Sequence, residues 1–252
     1  MVRILCSGVV LVLAVAGCSP ASSPAVDPSA EELPDALVLA EARYSCDGPP
    51  GFLPTILDEP ATAETEDHPS AVALRAAIAE AGPDIDLLPA SGYWLASRDD
   101  RVAEYVARVP AGADPPFVSA TLENQGAAWK LAGWGQCRPQ LVLEGLSLAT
   151  WVLDPDAPAP QPGTKTFHAL VTERECTSGQ PMGARLRPPS VTYGRDSVFV
   201  VFAATPQINL GFATCPGNPP ARVVVELSEP LGDRRLLDAA FFPPAEPVAD
   251  DV

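Results

Sequence analysis

Gly92-Tyr-Trp-Leu-Ala-Ser97, Val102-Ala-Glu-Tyr-Val-Ala-Arg-Val109, Phe117-Val-Ser-Ala-Thr-Leu122 and Ala127-Ala-Trp-Lys-Leu-Ala-Gly133 follow one another along the chain. The breaks between them are turn-forming: Asp99-Asp100, Pro110 to Pro116, and Glu123-Asn124-Gln125-Gly126. Short apolar or alternating runs separated in this way predict a β-meander. Val102, Val106 and Val109 also fit a helical period, but β-branching and the flanking strands favour a strand.

Upstream, Ser70 to Ala81 has the 3.6-residue pattern of a helix. Leu74, Ile78 and Ala81 share a face, Ser70 stands at the cap, and Gly82-Pro83 forms the stop. A helix on an antiparallel sheet gives an α+β first part, expected over residues 35–153. Residues 154–164, Asp-Pro-Asp-Ala-Pro-Ala-Pro-Gln-Pro-Gly-Thr, carry proline at nearly every second position and read as a linker.

Beyond it, Thr166 to Thr172, Ser197 to Ala203 and Arg222 to Leu227 are strand-like, with Leu141 to Leu143 and Ala149 to Leu153 as possible earlier strands. Residues 165–244 are therefore expected to form a small β-sandwich-like domain of immunoglobulin type, followed by an acidic tail over 245–252. The expected class is α+β, mainly β. No internal repeat is visible, so solenoids and propellers drop out.

The N-terminus reads as an export signal. Arg3 precedes an apolar run, Val9 to Val15, that is too short to span a bilayer and gives way to small residues. Its end, Val15-Ala16-Gly17-Cys18, resembles the bacterial lipobox. That resemblance implies cleavage after residue 17 and lipidation of Cys18, which would hold the mature protein on the extracytoplasmic face of the cell membrane. Residues 18–34, rich in Ser, Pro, Ala and acidic groups, then form a tether.

With Cys6 in the leader and Cys18 lipidated, Cys46, Cys137, Cys176 and Cys215 remain in an oxidising compartment. Three pairings are open; Cys46–Cys137 with Cys176–Cys215 is preferred because it gives each half one bridge. No pair has CxxC spacing and only two histidines exist, so neither a metal nor another cofactor is expected.

The formal net charge of -16, with two lysines in the whole chain, disfavours nucleic acid and anionic lipid surfaces as partners. His68 and His168 lie in no nucleophile motif, and GxSxG, SxxK and HExxH are all missing. The close carboxylates Asp84/Asp86, Asp99/Asp100, Asp154/Asp156 and Glu173/Glu175 complete no calcium loop, and turns or a linker account for them better. Gly232-Asp233-Arg234-Arg235 reads as a turn. Trp94, Trp129 and Trp134 are the candidate binding surface, against the plainer role of covering the disulfide and filling the core.

The segments Trp129-Lys-Leu-Ala-Gly-Trp134-Gly-Gln-Cys137-Arg-Pro139, Glu175-Cys-Thr-Ser-Gly179 and Glu229-Pro-Leu-Gly-Asp-Arg-Arg-Leu-Leu-Asp238 resemble a family of actinobacterial secreted proteins and lipoproteins that has no assigned activity. The resemblance implies location and architecture and lends nothing to mechanism. The expectation is an anchored protein that binds a protein, peptide or glycan at the envelope. An envelope hydrolase with a dispersed site and a structural component of an envelope complex stand as alternatives.

Overall fold

In the computed structural model, residues 37–81, 88–110, 112–207, 214 and 216–247 are described here. The leader, Cys18 and the tether lie outside them, as do Gly82-Pro83, Asp84, Asp86 and Cys215. The described residues open with a two-residue strand, β1 (Tyr44–Ser45), a 3-10 turn at Pro54–Asp58, and one helix, α1 (Pro69–Ala81).

The meander forms as the alternation predicts. β2 (Tyr93–Arg98), β3 (Val102–Arg108), β4 (Phe117–Asn124) and β5 (Trp129–Cys137) make a four-stranded antiparallel sheet in chain order. β3 is buried on both faces, which explains its mixed period in the sequence: a strand covered on two sides needs no polar alternation. Ala103, Tyr105 and Ala107 face the core under α1, and Val106 faces the opposite core.

The helix starts one residue earlier than expected, with Pro69 as its first residue. Proline suits that position because its missing N–H would have had no partner there. His68 does the capping in place of Ser70: its Nδ1 accepts the Ser70 amide at 3.2 Å, and its carbonyl accepts the Val72 amide. Ser70 is instead fully buried, its hydroxyl 2.8 Å from the Tyr105 hydroxyl. Ala71 and Leu74, both fully buried, join Val118, Ala120 and Leu122 of β4 in one core.

The second sheet has six strands. β7 (Ser147–Leu153), β8 (Thr166–Glu173), β9 (Ser190–Tyr193), β10 (Ser197–Ala204), β11 (Ala221–Glu226) and β12 (Arg235–Asp238) run in the order β11-β8-β7-β10-β12, with β9 on the other edge of β10. Its pairings are antiparallel except β10 with β12, which is parallel. The antiparallel sheets include a half-barrel. One face of the six-stranded sheet holds Trp151, Phe167, Val171, Val198, Val200 and Phe202. The other face, carrying Val201 and Ala203, packs on the four-stranded sheet at Val106 and Phe117.

This arrangement corrects the expected domain division. Residues 154–164 connect β7 and β8, adjacent antiparallel strands of one sheet, so they form a hairpin loop and separate no domains. Proline fits because the loop satisfies itself: the Asp156 amide donates to Asp154 Oδ1 at 3.0 Å, and Arg222 on β11 pairs with both Asp154 and Asp156. The described residues all fall in one compact unit. Stacked sheets do occur, but the stack is built jointly by residues from before and after the loop. Ala245 is not tail either, since it exchanges backbone hydrogen bonds with Asp238 at 2.7 and 3.1 Å.

The mainly β, α+β class is as expected. The Asp99-Asp100 turn also forms, with Asp99 Oδ1 accepting the Arg101 and Val102 amides at 2.7 Å each. These bonds hold the Asp99 carboxylate below its ordinary range, the Val102 amide contributing most.

Candidate functional site

Two neighbouring clefts, of about 760 and 210 Å3, lie along the small two-stranded sheet of β1 and β6 (Gln140–Leu141). Residues 37–43, the loop after β1 and the turn after β6 form their walls. Such short strands have little intrinsic stability, so the walls depend on contacts from distant parts of the chain. The Val142 amide donates to the Arg43 carbonyl at 2.8 Å, and Arg43 Nη1 reaches the Gly51 carbonyl at 2.9 Å. Tyr44 and Phe52 exchange two backbone hydrogen bonds of 2.8 Å.

Gly51 is required where it stands. Its φ of +64° belongs to the left-handed region, and a Cβ there would lie 2.7 Å from the Tyr44 carbonyl oxygen. The loop between Ser45 and Gly51 is therefore folded tightly back. The Asp47 and Gly48 amides both donate to Ser45 Oγ, and Thr121 Oγ1 on β4 donates to Asp47 Oδ2 at 3.0 Å.

The expected Cys46–Cys137 disulfide forms and ties this loop to the end of β5. Cys176 is disulfide-bonded as well, while Cys215, its expected partner, lies outside the described residues.

The larger cleft is aliphatic in character, lined by Leu37, Val38, Pro50, Leu141 and Leu143, with Glu41, Arg43 and Glu144 among its polar groups. The smaller adds Gln140, Arg174 and Glu175. No aromatic ring lines either one among the described residues. A concave apolar surface with a few polar groups is suited to binding.

Two buried carboxyl groups stand behind these walls. Burial pushes Glu104 of β3 up to about 7, helped by the charge of Asp47, while the Cys46 amide and the Ser97 hydroxyl work against the shift. Burial likewise pushes Asp238 up to about 7, opposed by the Ala240 amide, the Trp151 indole and the Arg174 charge. The next residue, Ala239, accepts the Tyr44 hydroxyl at 3.2 Å, and Ala240 accepts the Leu141 amide at 2.9 Å. Burial chiefly, and the charge of Asp238, raise Tyr44 to about 12, so its hydroxyl stays a donor at neutral pH.

The three tryptophans singled out from the sequence do not converge. Trp94 packs in the core between the sheets, with Nε1 donating to the Glu59 carbonyl at 2.8 Å and the Arg108 guanidinium 6.0 Å from its ring. Trp129 packs under the helix side, its ring 5.6 Å from that of His68. Trp134 alone is exposed, at 48%. Of the three, none lines the clefts.

The histidines assemble no nucleophilic site. His68 Nδ1 is 2.8 Å from Ser70 Oγ, but Ser70 is fully buried and its hydroxyl also meets Tyr105, so no substrate reaches it. His168 is exposed on β8. Glu173 is committed to a bidentate pair with Arg185 at 2.8 and 2.6 Å. Arg234 of the 232–235 turn lies over the Tyr193 ring and donates to the Leu231 carbonyl. Among the described residues no three metal-ligating side chains share a site, and no helix is long and apolar enough to cross a membrane.

The clefts were missed in the sequence because no local pattern marks them. Pro49-Pro50 and Gly51 signal a turn, but the pairing of residues 43–45 with 140–142 is visible only in three dimensions. No family model matches the chain, and no curated protein or solved structure is significantly similar to it.

Proposed function

We propose that this chain is a lipoprotein anchored through Cys18 on the extracytoplasmic face of the cell membrane, where the paired clefts bind an apolar peptide segment of an envelope protein. The anchoring half rests on the lipobox-like Val15-Ala16-Gly17-Cys18 behind a signal-type apolar run. The Cys46–Cys137 bridge supports it, since such bonds persist in exported proteins.

The aliphatic lining carries the binding half. Glycan sites use aromatic platforms, and these clefts offer Leu, Val and Pro side chains instead, which suit the alkyl groups of a peptide. Lipidation is tested by feeding cells an alkyne-tagged fatty acid. The wild-type protein is expected to take up label, and Cys18→Ser to lose it and escape to the medium; an unlabelled wild type ends the anchoring half. For the clefts, a photo-crosslinking residue at Val38 should join an envelope protein that Trp134, exposed elsewhere, does not capture when it carries the same residue. Identical capture from both positions would end the binding half.

A further inference from the structure

Glu104 carries a polar atom that the fold leaves unused. Its side chain is 5% exposed, and Oε1 has no hydrogen-bond partner among the described residues. Burying a charged carboxylate in that state is costly, and a protonated carboxyl avoids most of the cost.

Among the described residues its surroundings offer no compensating cation. On β2, Ser97 pairs in register with Glu104; the next residue, Arg98, faces the helix side and is bound to Glu66 at 2.6 Å. On β4 the opposite residue is Thr121, and beyond it on β5 stands Gly133, which has no side chain. From the loop above come the Cys46 amide and the exposed carboxylate of Asp47, which Thr121 also holds. At the β2–β3 turn, Asp99 is occupied with backbone amides. Among the described residues, the one charged side chain acting on Glu104 is thus another carboxylate.

We infer that residues 47–50, hinged on the Cys46–Cys137 bridge, are a proton-controlled latch, seated while Glu104 is protonated and released when Glu104 and Asp47 both carry charge. The segment supplies Gly48 and Pro49 to the smaller cleft and Pro49 and Pro50 to the larger, so release reshapes both binding walls while Cys46 stays fixed. That consequence rests on the binding role proposed for the clefts; the latch itself does not. Glu104 meets water when the loop lifts and returns to its ordinary range near 4.5, against about 7 when seated. The seated form therefore loses ground as pH rises between those values and has lost its advantage above them. From pH 5 to pH 8 the ratio of seated to lifted loop is expected to fall roughly seventyfold.

Hydrogen exchange of the Asp47, Gly48 and Gly51 amides, measured on the full chain in detergent without ligand and corrected for intrinsic rates, reads this ratio. Protection should fall with pH in the wild type and stay level in Glu104→Gln. Asp47→Asn, on the surface and safe for folding, should keep a smaller fall because the second charge is gone while burial remains. A wild-type profile flat with pH overturns the latch, as does one that Asp47→Asn leaves unchanged. A flat profile together with Val38 crosslinking removes the latch and leaves binding; a sloping profile without crosslinking does the reverse.

Discussion

The helix-covered sheet and the cleft walls lie on opposite faces of the same four strands, and they are held by different means. Under α1, Leu74, Tyr105, Val118 and Leu122 interdigitate with almost no exposure, and the polar groups there close on one another, as Ser70 does with Tyr105. At the clefts, two-residue strands are fastened by a disulfide, a buried tyrosine hydroxyl and two carboxyls that resist ionisation. Apolar packing resists change in proportion to area and is indifferent to pH. Point fastenings can be undone singly, and two of these respond to protons.

The largest effect should come from the bridge. Cys46 and Cys137 are 91 residues apart, and in the loop-entropy model closing such a loop contributes about 4.5 kcal/mol. Replacing both by serine should lower stability by that order in urea denaturation, with exchange at 44–52 rising before the helix-covered sheet is affected. If both regions lose protection equally, the contrast between them breaks. Next is Leu74→Ala, which empties a fully buried site and should cost about 3 kcal/mol. Its damage should be spread over the whole fold, read as a fall in the urea midpoint with the slope unchanged and no selective opening at 44–52.

These two regions also differ in how plainly the sequence shows them. The meander and the helix were legible because each buries a local face, and faces repeat with period 2 or 3.6. The clefts were not, since their walls join residues far apart in the chain, as Tyr44 with Leu141, 97 positions on. The tryptophans show a further limit. Trp129 and Trp134 are five apart, which on a regular strand puts them on opposite faces. A bulge at Ala132 of β5 returns both to the helix side, where Trp129 is covered and Trp134 is left bare. Neither that bulge nor the extent of α1 over the sheet is written in the local pattern. The 154–164 loop misled for a related reason: prolines forbid pairing within the segment but say nothing about whether its two ends pair with each other.

A pH series sharpens the contrast at intermediate size. Glu104 and Asp238 both titrate about 7 in the fold, far above their ordinary values of 4.5 and 3.8. Raised acids favour the folded state fully below the ordinary value, and that contribution drains away as pH rises to the folded one. Raising pH from 5 to 8 should therefore reduce stability by about 2–3 kcal/mol for each group. Urea midpoints should record the fall, and Glu104→Gln should remove its share while the Asp238 share persists. A Leu74→Ala background should keep the same slope, because the packed face carries none of it.

The smallest effect tests the finest fastening. Tyr44→Phe keeps the ring, which packs 5.5 Å from Phe242, and removes only the hydroxyl that donates to the Ala239 carbonyl at 3.2 Å. One neutral hydrogen bond contributes about 1 kcal/mol net, so the urea midpoint should move little. The position of that bond magnifies its local consequence: it links β1 to the turn after β12, and the Leu141 amide depends on the same turn. Exchange at Tyr44, Phe52 and Leu141 should accelerate about fivefold, as expected for 1 kcal/mol of local opening, with Val118 and Leu122 unchanged. Uniform acceleration would mean that the cleft walls and the helix-covered sheet open together. The point fastenings would then stabilise the whole fold, and no part of it could move on its own.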